Sequence, residues 1–190
     1  MKKMKLYHTS TIPNLKIIEP RISTHGKSYV YATPSLEFSL FFGGKEMAGG
    51  FDGIYGIKDN IPFFYEAYKG ALKRIFDNAV CYIYEVDPST FVAGKTTFSG
   101  ELVSESPVKI LNCKKVNNVY NYIQELNSQS KIKLHYFCDT EEYNKMIDEY
   151  ISNMIIELGI LDKKETGIYG FCERHFPHIM KRLQAEILKQ

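Results

Sequence analysis

Three residue types that could do chemistry stand at separate places in the first half of the chain. "KLYHTST" puts His8 among apolar neighbours and follows it with the small hydroxylated residues Thr9 and Ser10, and "SYVYATPS" puts Tyr31 in a similar setting. An acidic residue, Glu101, lies later in "FSGELVS". Histidine titrates near neutral pH, an aromatic ring can stack on a planar ligand, and a carboxylate carries negative charge. Because a histidine in an apolar strand is more often structural, the set needs further support.

Two other patterns are weaker candidates for a site. "CERHFPH" places Cys172, His175 and His178 at spacings that could ligate zinc, but a structural zinc site needs four ligands and no partner pair is evident. The glycine-rich segment from Gly43 to Gly56 is not a Walker A loop, since its only lysine, Lys45, is followed by an acidic residue. It also lacks the GxGxxG spacing of a dinucleotide-binding turn. We expect no metal, and we expect this segment to be a mobile loop that acts as a lid, a substrate loop or a plain connector.

The composition describes an ordinary globular chain. It has 190 residues, of which 44% are hydrophobic and 24% charged, and a net charge of +2, which gives no support for nucleic acid as a partner. No apolar stretch approaches a signal peptide or a membrane helix, so a cytoplasmic location and no membrane partner are expected. The four cysteines are single and are expected to be reduced: Cys81, Cys113, Cys138 and Cys172.

The elements that carry the first two candidates follow from apolar patterning and turn residues. We expect a strand from Lys3 to His8 and another from Ser28 to Ala32. Thr33 followed by Pro34 indicates a helix N-cap with proline at the first helical position. "SLEFSLFF" should therefore form a short helix directly after the second strand.

The remaining pattern predicts a strand-rich middle and a helical end. Apolar residues at helical spacing predict a helix from about Phe63 to Phe76. Strands are expected in "AVCYIYEVD", "TFVA", "TTFSGELVS" and "SPVKIL". Helices are expected in "VNNVYNYIQEL", from Asp139 to Leu158 with a capping box formed by Asp139 and Glu142, and from Glu173 to Leu188. The fold class is α+β with mostly antiparallel strands.

With these elements in place, the chain resembles the ADP-ribosyltransferase superfamily, in the branch whose triad is histidine, tyrosine and glutamate. "YHTS" is similar to the first-strand motif, and "GKSYVYAT" followed by "SLEFSLFF" is similar to the second-strand tyrosine and its helix. "FSGELVS" supplies the glutamate, and the match covers roughly Lys3 to Asn112. The resemblance implies a split β-sandwich core in residues 1–127 with flanking helices. Residues 128–190 would form a helical C-terminal section, which can pack with the core as one domain.

The resemblance also implies an activity and a role for each candidate. NAD would be the substrate, cleaved between nicotinamide and ribose, and Glu101 would stabilise the positive charge on the ribose or orient the acceptor. His8 would bind the adenosine-side ribose, the backbone at Thr9 would pair with the nicotinamide amide, and Tyr31 would stack on the nicotinamide ring. Hydroxyls of Thr9 and Ser10 would bind the ribose or a phosphate.

Several alternatives stay open. Tyr29 lies on the same strand face as Tyr31, and Glu105 could replace Glu101. Arg21, Lys27 and Lys45 could neutralise the NAD diphosphate, although lone basic loop residues are usually only solvated.

The acceptor is expected to be a protein or a small molecule. A nucleic-acid-directed transferase, a 2′-phosphate transferase, a silent nucleotide-binding module and a protein-interaction module are the alternatives. A toxin, a bacterial or phage protein and a housekeeping enzyme fit equally well, and the oligomeric state stays open.

Overall fold

The computed structural model describes residues 4–22, 27–45, 50–96 and 100–187. Its contacts divide the chain into two compact units. Unit 1 consists of Met1–Lys45, Gly56–Phe63 and Lys73–Lys133. Unit 2 consists of Glu46–Tyr55, Phe64–Leu72 and Leu134–Gln190. The domain boundary expected between residues 127 and 128 stays a prediction. Two segments that precede it in the chain, Glu46–Tyr55 and Phe64–Leu72, belong to unit 2 together with the C-terminal section.

The chain is a mixture of antiparallel sheets and helices, which confirms the α+β class. The strands are β1 (Leu6–Ser10), β2 (Ile17–Ile18), β3 (Arg21–Ile22), β4 (Ser28–Ala32), β5 (Gly53–Lys58), β6 (Ile61–Glu66), β7 (Cys81–Val86), β8 (Val92–Ala93), β9 (Leu102–Ser104), β10 (Val108–Val116) and β11 (Lys133–His135). The helices are α1 (Leu36–Ser39), α2 (Ala71–Phe76), α3 (Val119–Ser128), α4 (Glu141–Glu157), α5 (Gly167–His175) and α6 (Pro177–Ile187).

Unit 1 contains two four-stranded sheets. Their strand orders are β1-β7-β10-β2 and β3-β4-β9-β8, and the pairings within each are antiparallel. Both sheets contribute apolar side chains to one core, with Leu6 and Val86 from the first and Val30 and Ala32 from the second. Because side chains alternate along a strand, this shared core fixes which face each strand turns inward.

The helix after β4 begins later than the sequence indicates. Ser35, and not Thr33, is the N-cap of α1, and its hydroxyl accepts a hydrogen bond from the Phe38 backbone N–H at 3.0 Å. The prediction of Thr33 as the cap is wrong because its backbone bonds Tyr7 in a β-bridge. The helix continues into a 3-10 turn, where Leu40 and Phe41 are buried as expected.

The predicted helix over Phe63–Phe76 is wrong in its first half. Asp59 and Asn60 both have positive φ, 52° and 62°, and form the two-residue turn of a hairpin between β5 and β6. Helix begins only at Ala71. The loop predicted for the glycine-rich segment from Gly43 to Gly56 is wrong in its last part, because Gly53–Lys58 forms strand β5. Residues 46–49 of that segment lie outside the described residues.

Unit 2 contains the C-terminal helices and one apolar core, in which Ile151, Cys172 and Ile179 are fully buried. Thr140, and not Asp139, caps α4, since its hydroxyl accepts from the Tyr143 N–H at 3.3 Å. The single helix predicted from Glu173 is wrong. Two helices, α5 and α6, replace it because Pro177 has no backbone N–H to continue the first. Among the described residues, no helix combines the length and apolar character needed to cross a bilayer.

Candidate functional site

The candidate site lies at a gap on one edge of β4 in unit 1. β1 joins this edge only at Thr33, through two backbone hydrogen bonds with Tyr7 of 2.8 and 3.0 Å. β3 pairs with β4 at Tyr29, which lies opposite Arg21. In an antiparallel strand, alternate residues direct their backbone groups to the same edge, so Tyr29, Tyr31 and Thr33 share this edge. The backbone of Tyr31 therefore lies between the end of the β1 contact and the start of the β3 contact.

The side chain of His8 reaches across this gap. Its Nδ1 lies 2.8 Å from the backbone oxygen of Tyr31. Since a carbonyl only accepts, Nδ1 carries the proton, and the Nε2 of a neutral ring is then an acceptor. Burial lowers the pKa of His8, the Tyr31 carbonyl opposes this, and the charge of Arg21 lowers the pKa further. Burial therefore favours the neutral ring, in which Nε2 is the nitrogen that can accept from a ligand hydroxyl.

Thr9 presents its backbone, and not its hydroxyl, to the gap. Tyr7 directs its backbone groups away from β7 and towards Thr33, so Thr9, two residues on, directs its own to the same side. Its hydroxyl is buried and donates to the Ser39 hydroxyl at 3.0 Å. Ser10 is half-buried, and its hydroxyl accepts from the Ile12 N–H at 3.1 Å. The backbone role expected for Thr9 fits this geometry, and a ligand role for its hydroxyl does not.

The two tyrosines of β4 differ in exposure. Tyr29 is only 4% exposed, whereas Tyr31 is half-buried. Their rings meet edge to face, with centroids 5.9 Å apart, so they share a face of the sheet as expected. Because the Tyr31 ring is more accessible and its own carbonyl binds His8, the geometry favours Tyr31 over Tyr29 as the stacking residue.

Glu101 lies at the end of β9 that is nearest to β1. Leu102 pairs with Ala32, so Glu101 comes level with Thr33, where β1 contacts β4. Glu101 is half-buried, while Glu105 is exposed at the opposite end of β9. Side chains alternate along β9, so Glu101 shares a face with Val103 and with its partner Tyr31. The geometry therefore favours Glu101 over Glu105, on the Tyr31 face of the strand.

Two residues near the gap, Arg21 and Ser39, make contacts that the sequence did not predict. Arg21 ranks low from sequence alone but pairs directly with Tyr29 across β3 and β4. Ser39 bonds Thr9 and donates to the Leu36 carbonyl at 2.7 Å, which joins α1 to β1. A two-residue strand is too short to show alternating apolar and polar residues, so the sequence contains no signal for Arg21. The only sequence signal for Ser39 is its position in the short helix.

The candidate zinc ligands of the sequence belong to unit 2. Cys172 is buried in unit 2, which raises the pKa of its thiol to about 11, and His178 pairs with Asp148 at 2.9 Å. The described residues contain no group of three or more His, Cys, Asp and Glu side chains placed to hold a metal ion. A surface cavity of about 330 Å³ in unit 1 is lined by residues of β10 and α3, including Lys114 and Tyr122, and by none of the candidate residues.

A scan against protein-family models, a search of curated proteins and a search of solved structures each returned no match to this chain. The geometry of the gap in unit 1 is therefore the basis for assigning a function.

Proposed function

We propose that the protein is an NAD-dependent ADP-ribosyltransferase on a split β-sandwich, with its nucleotide site at the gap between β1 and β4. The observation that carries this proposal is the 2.8 Å contact between His8 Nδ1 and the Tyr31 carbonyl. This hydrogen bond ties the imidazole to the backbone of the strand that carries Tyr31 and leaves Nε2 of the neutral ring as an acceptor. We place this activity in the cytoplasm.

Each group at the gap has a task in the proposed reaction. Nε2 of His8 accepts a hydrogen bond from a ribose hydroxyl, and the backbone of Thr9 pairs with the carboxamide of nicotinamide as a strand would. The Tyr31 ring stacks on the nicotinamide and holds it for cleavage. These contacts orient the substrate and do not take part in bond breaking.

Glu101 is the proposed catalytic residue. When the bond between nicotinamide and ribose breaks, its electron pair leaves with nicotinamide and positive charge develops on the ribose. A preorganised carboxylate near that carbon stabilises the charge, and removing one such group typically costs about 100- to 1,000-fold in rate. The acceptor then attacks the same carbon and gives up its proton to solvent water.

Release of nicotinamide from NAD⁺ tests this proposal, with Glu101→Gln compared to Glu105→Gln. The first substitution should reduce release about 100-fold or more, while the second, at an exposed residue of the same strand, should leave release unchanged. Equal rates for wild type and Glu101→Gln would show that the mechanism is wrong. Binding of NAD⁺ without release would instead support a silent nucleotide-binding module.

A protein or small molecule is the favoured acceptor, but the charge distribution favours nucleic acid as a second candidate. Unit 1 has 16 Lys and Arg against 9 Asp and Glu, whereas unit 2 has 8 against 13. The net charge of +2 is therefore the sum of a basic unit 1, which carries the proposed site, and an acidic unit 2. Transfer to an oligonucleotide that weakens steeply with salt would support this candidate, and transfer to protein alone would oppose it.

A further inference from the structure

Arg21 lies across the gap from His8. β1 and β3 approach the same edge of β4, one at Thr33 and the other at Tyr29, with Tyr31 between them. Residues directly opposite each other in an antiparallel pair have Cα atoms roughly 5 Å apart and side chains on one face. Arg21 therefore shares a face with Tyr29 and Tyr31 and borders the gap on the side away from β1.

The guanidinium is available to a ligand. Arg21 is exposed, and it makes no side-chain hydrogen bond or ion pair with any other residue that the structure describes. Burial is the largest cause that lowers the pKa of His8, and the positive charge of Arg21 lowers it further. The strand pairing thus places a cation beside the proposed site, and the direction of the electrostatic effect on His8 agrees with that position.

We infer that Arg21 binds the diphosphate of the dinucleotide at the gap, as a substrate-binding residue of the site formed by His8 and Tyr31. This inference rests on the proposed function, since it assigns one part of the same substrate. A guanidinium forms two parallel hydrogen bonds to phosphate oxygens, whereas the other groups at the gap suit sugar, amide and ring. Arg21 thus supplies the one kind of contact, cationic, that His8, Thr9 and Tyr31 lack.

Calorimetric titration of three ligands tests this assignment on the full chain. NAD⁺ and ADP-ribose contain the diphosphate, and nicotinamide riboside contains no phosphate. Arg21→Gln should weaken NAD⁺ and ADP-ribose about 10- to 100-fold and leave nicotinamide riboside within about twofold of wild type. Arg21→Lys keeps the charge but loses the paired donors, so its affinities should fall between the two.

Lys109→Gln is the matched control, because Lys109 is an exposed cation on β10, which is separated from β1 by β7. It removes the same charge and should not change any affinity. Unchanged ADP-ribose affinity in Arg21→Gln, or an equal loss for nicotinamide riboside, would overturn the assignment and leave the proposed function intact. Failure of the wild type to bind either NAD⁺ or ADP-ribose would overturn both.

Discussion

Replacing His8 with phenylalanine removes the nitrogen that donates to the Tyr31 carbonyl and keeps a planar ring. The bond is 2.8 Å long and part-buried, so its loss deprives a strand carbonyl of its donor at the gap. Such a loss costs about 1–3 kcal/mol, which is a large share of a domain stability of about 5–15 kcal/mol. With a urea dependence of about 1–3 kcal/mol per M, the unfolding midpoint should fall by roughly 1 M.

The pH dependence of this effect separates the hydrogen bond from packing. Because the pKa of His8 in the folded protein is below its usual value of 6.5, the unfolded state binds the proton more readily, and stability from the neutral ring is lost as the pH falls. The stability difference between wild type and His8→Phe should therefore be largest near about pH 8 and shrink towards about pH 5.

Urea unfolding followed by circular dichroism at several pH values measures this difference. His178→Phe is the control, because His178 is exposed and its pair with Asp148 should contribute less than about 1 kcal/mol. A stability difference for His8→Phe that stays constant with pH, or grows as the pH falls, would show that the neutral ring of His8 does not stabilise the fold in this way.

Three further outcomes follow from contacts near the site. Thr9→Val removes the 3.0 Å bond to Ser39 and should cost about 1 kcal/mol in urea unfolding, and Ser39→Ala should cost less in that background than in wild type; strictly additive costs would contradict the bond. Gly43→Ala places a Cβ 2.8 Å from the Cβ and Sγ of Cys81 and should lower stability by about 1–3 kcal/mol in thermal unfolding, whereas an unchanged melting temperature would show that the site has room. Burial raises the pKa of Cys81 to about 12, so iodoacetamide at neutral pH should modify the exposed Cys113 first by mass spectrometry; equal rates would contradict this.

Apolar runs bounded by turn residues were sufficient to predict β4 and β7 closely. The error at β6 has a physical cause: Phe64, Ala67 and Ala71 are all buried, so their spacing satisfies a helix although strand and loop precede Ala71. Glu66 also faces inward, where its carboxylate accepts from the N–H groups of Leu72 and Phe137 at 2.9 and 3.0 Å. A buried carboxylate satisfied by backbone groups cannot be anticipated from an alternating pattern.

For the candidate site, the sequence placed His8, Tyr31 and Glu101 on three separate predicted strands. Their relation depends on register: β1 leaves β4 after one bridge, and β3 continues along the same edge. Neither a one-residue bridge nor a two-residue strand has a local sequence signature, because such short pairings depend on tertiary context. The gap, and with it the importance of Arg21, therefore required the structure.

NMR of the ¹⁵N-labelled imidazole of His8 during a titration with NAD⁺ tests whether the gap beside His8 binds NAD⁺. Nδ1 should stay protonated on the Tyr31 carbonyl, while the Nε2 resonance should shift as a ribose hydroxyl donates to it. If NAD⁺ binds and both ring nitrogens of His8 keep their resonances, or if saturating NAD⁺ does not bind, NAD⁺ does not occupy the gap.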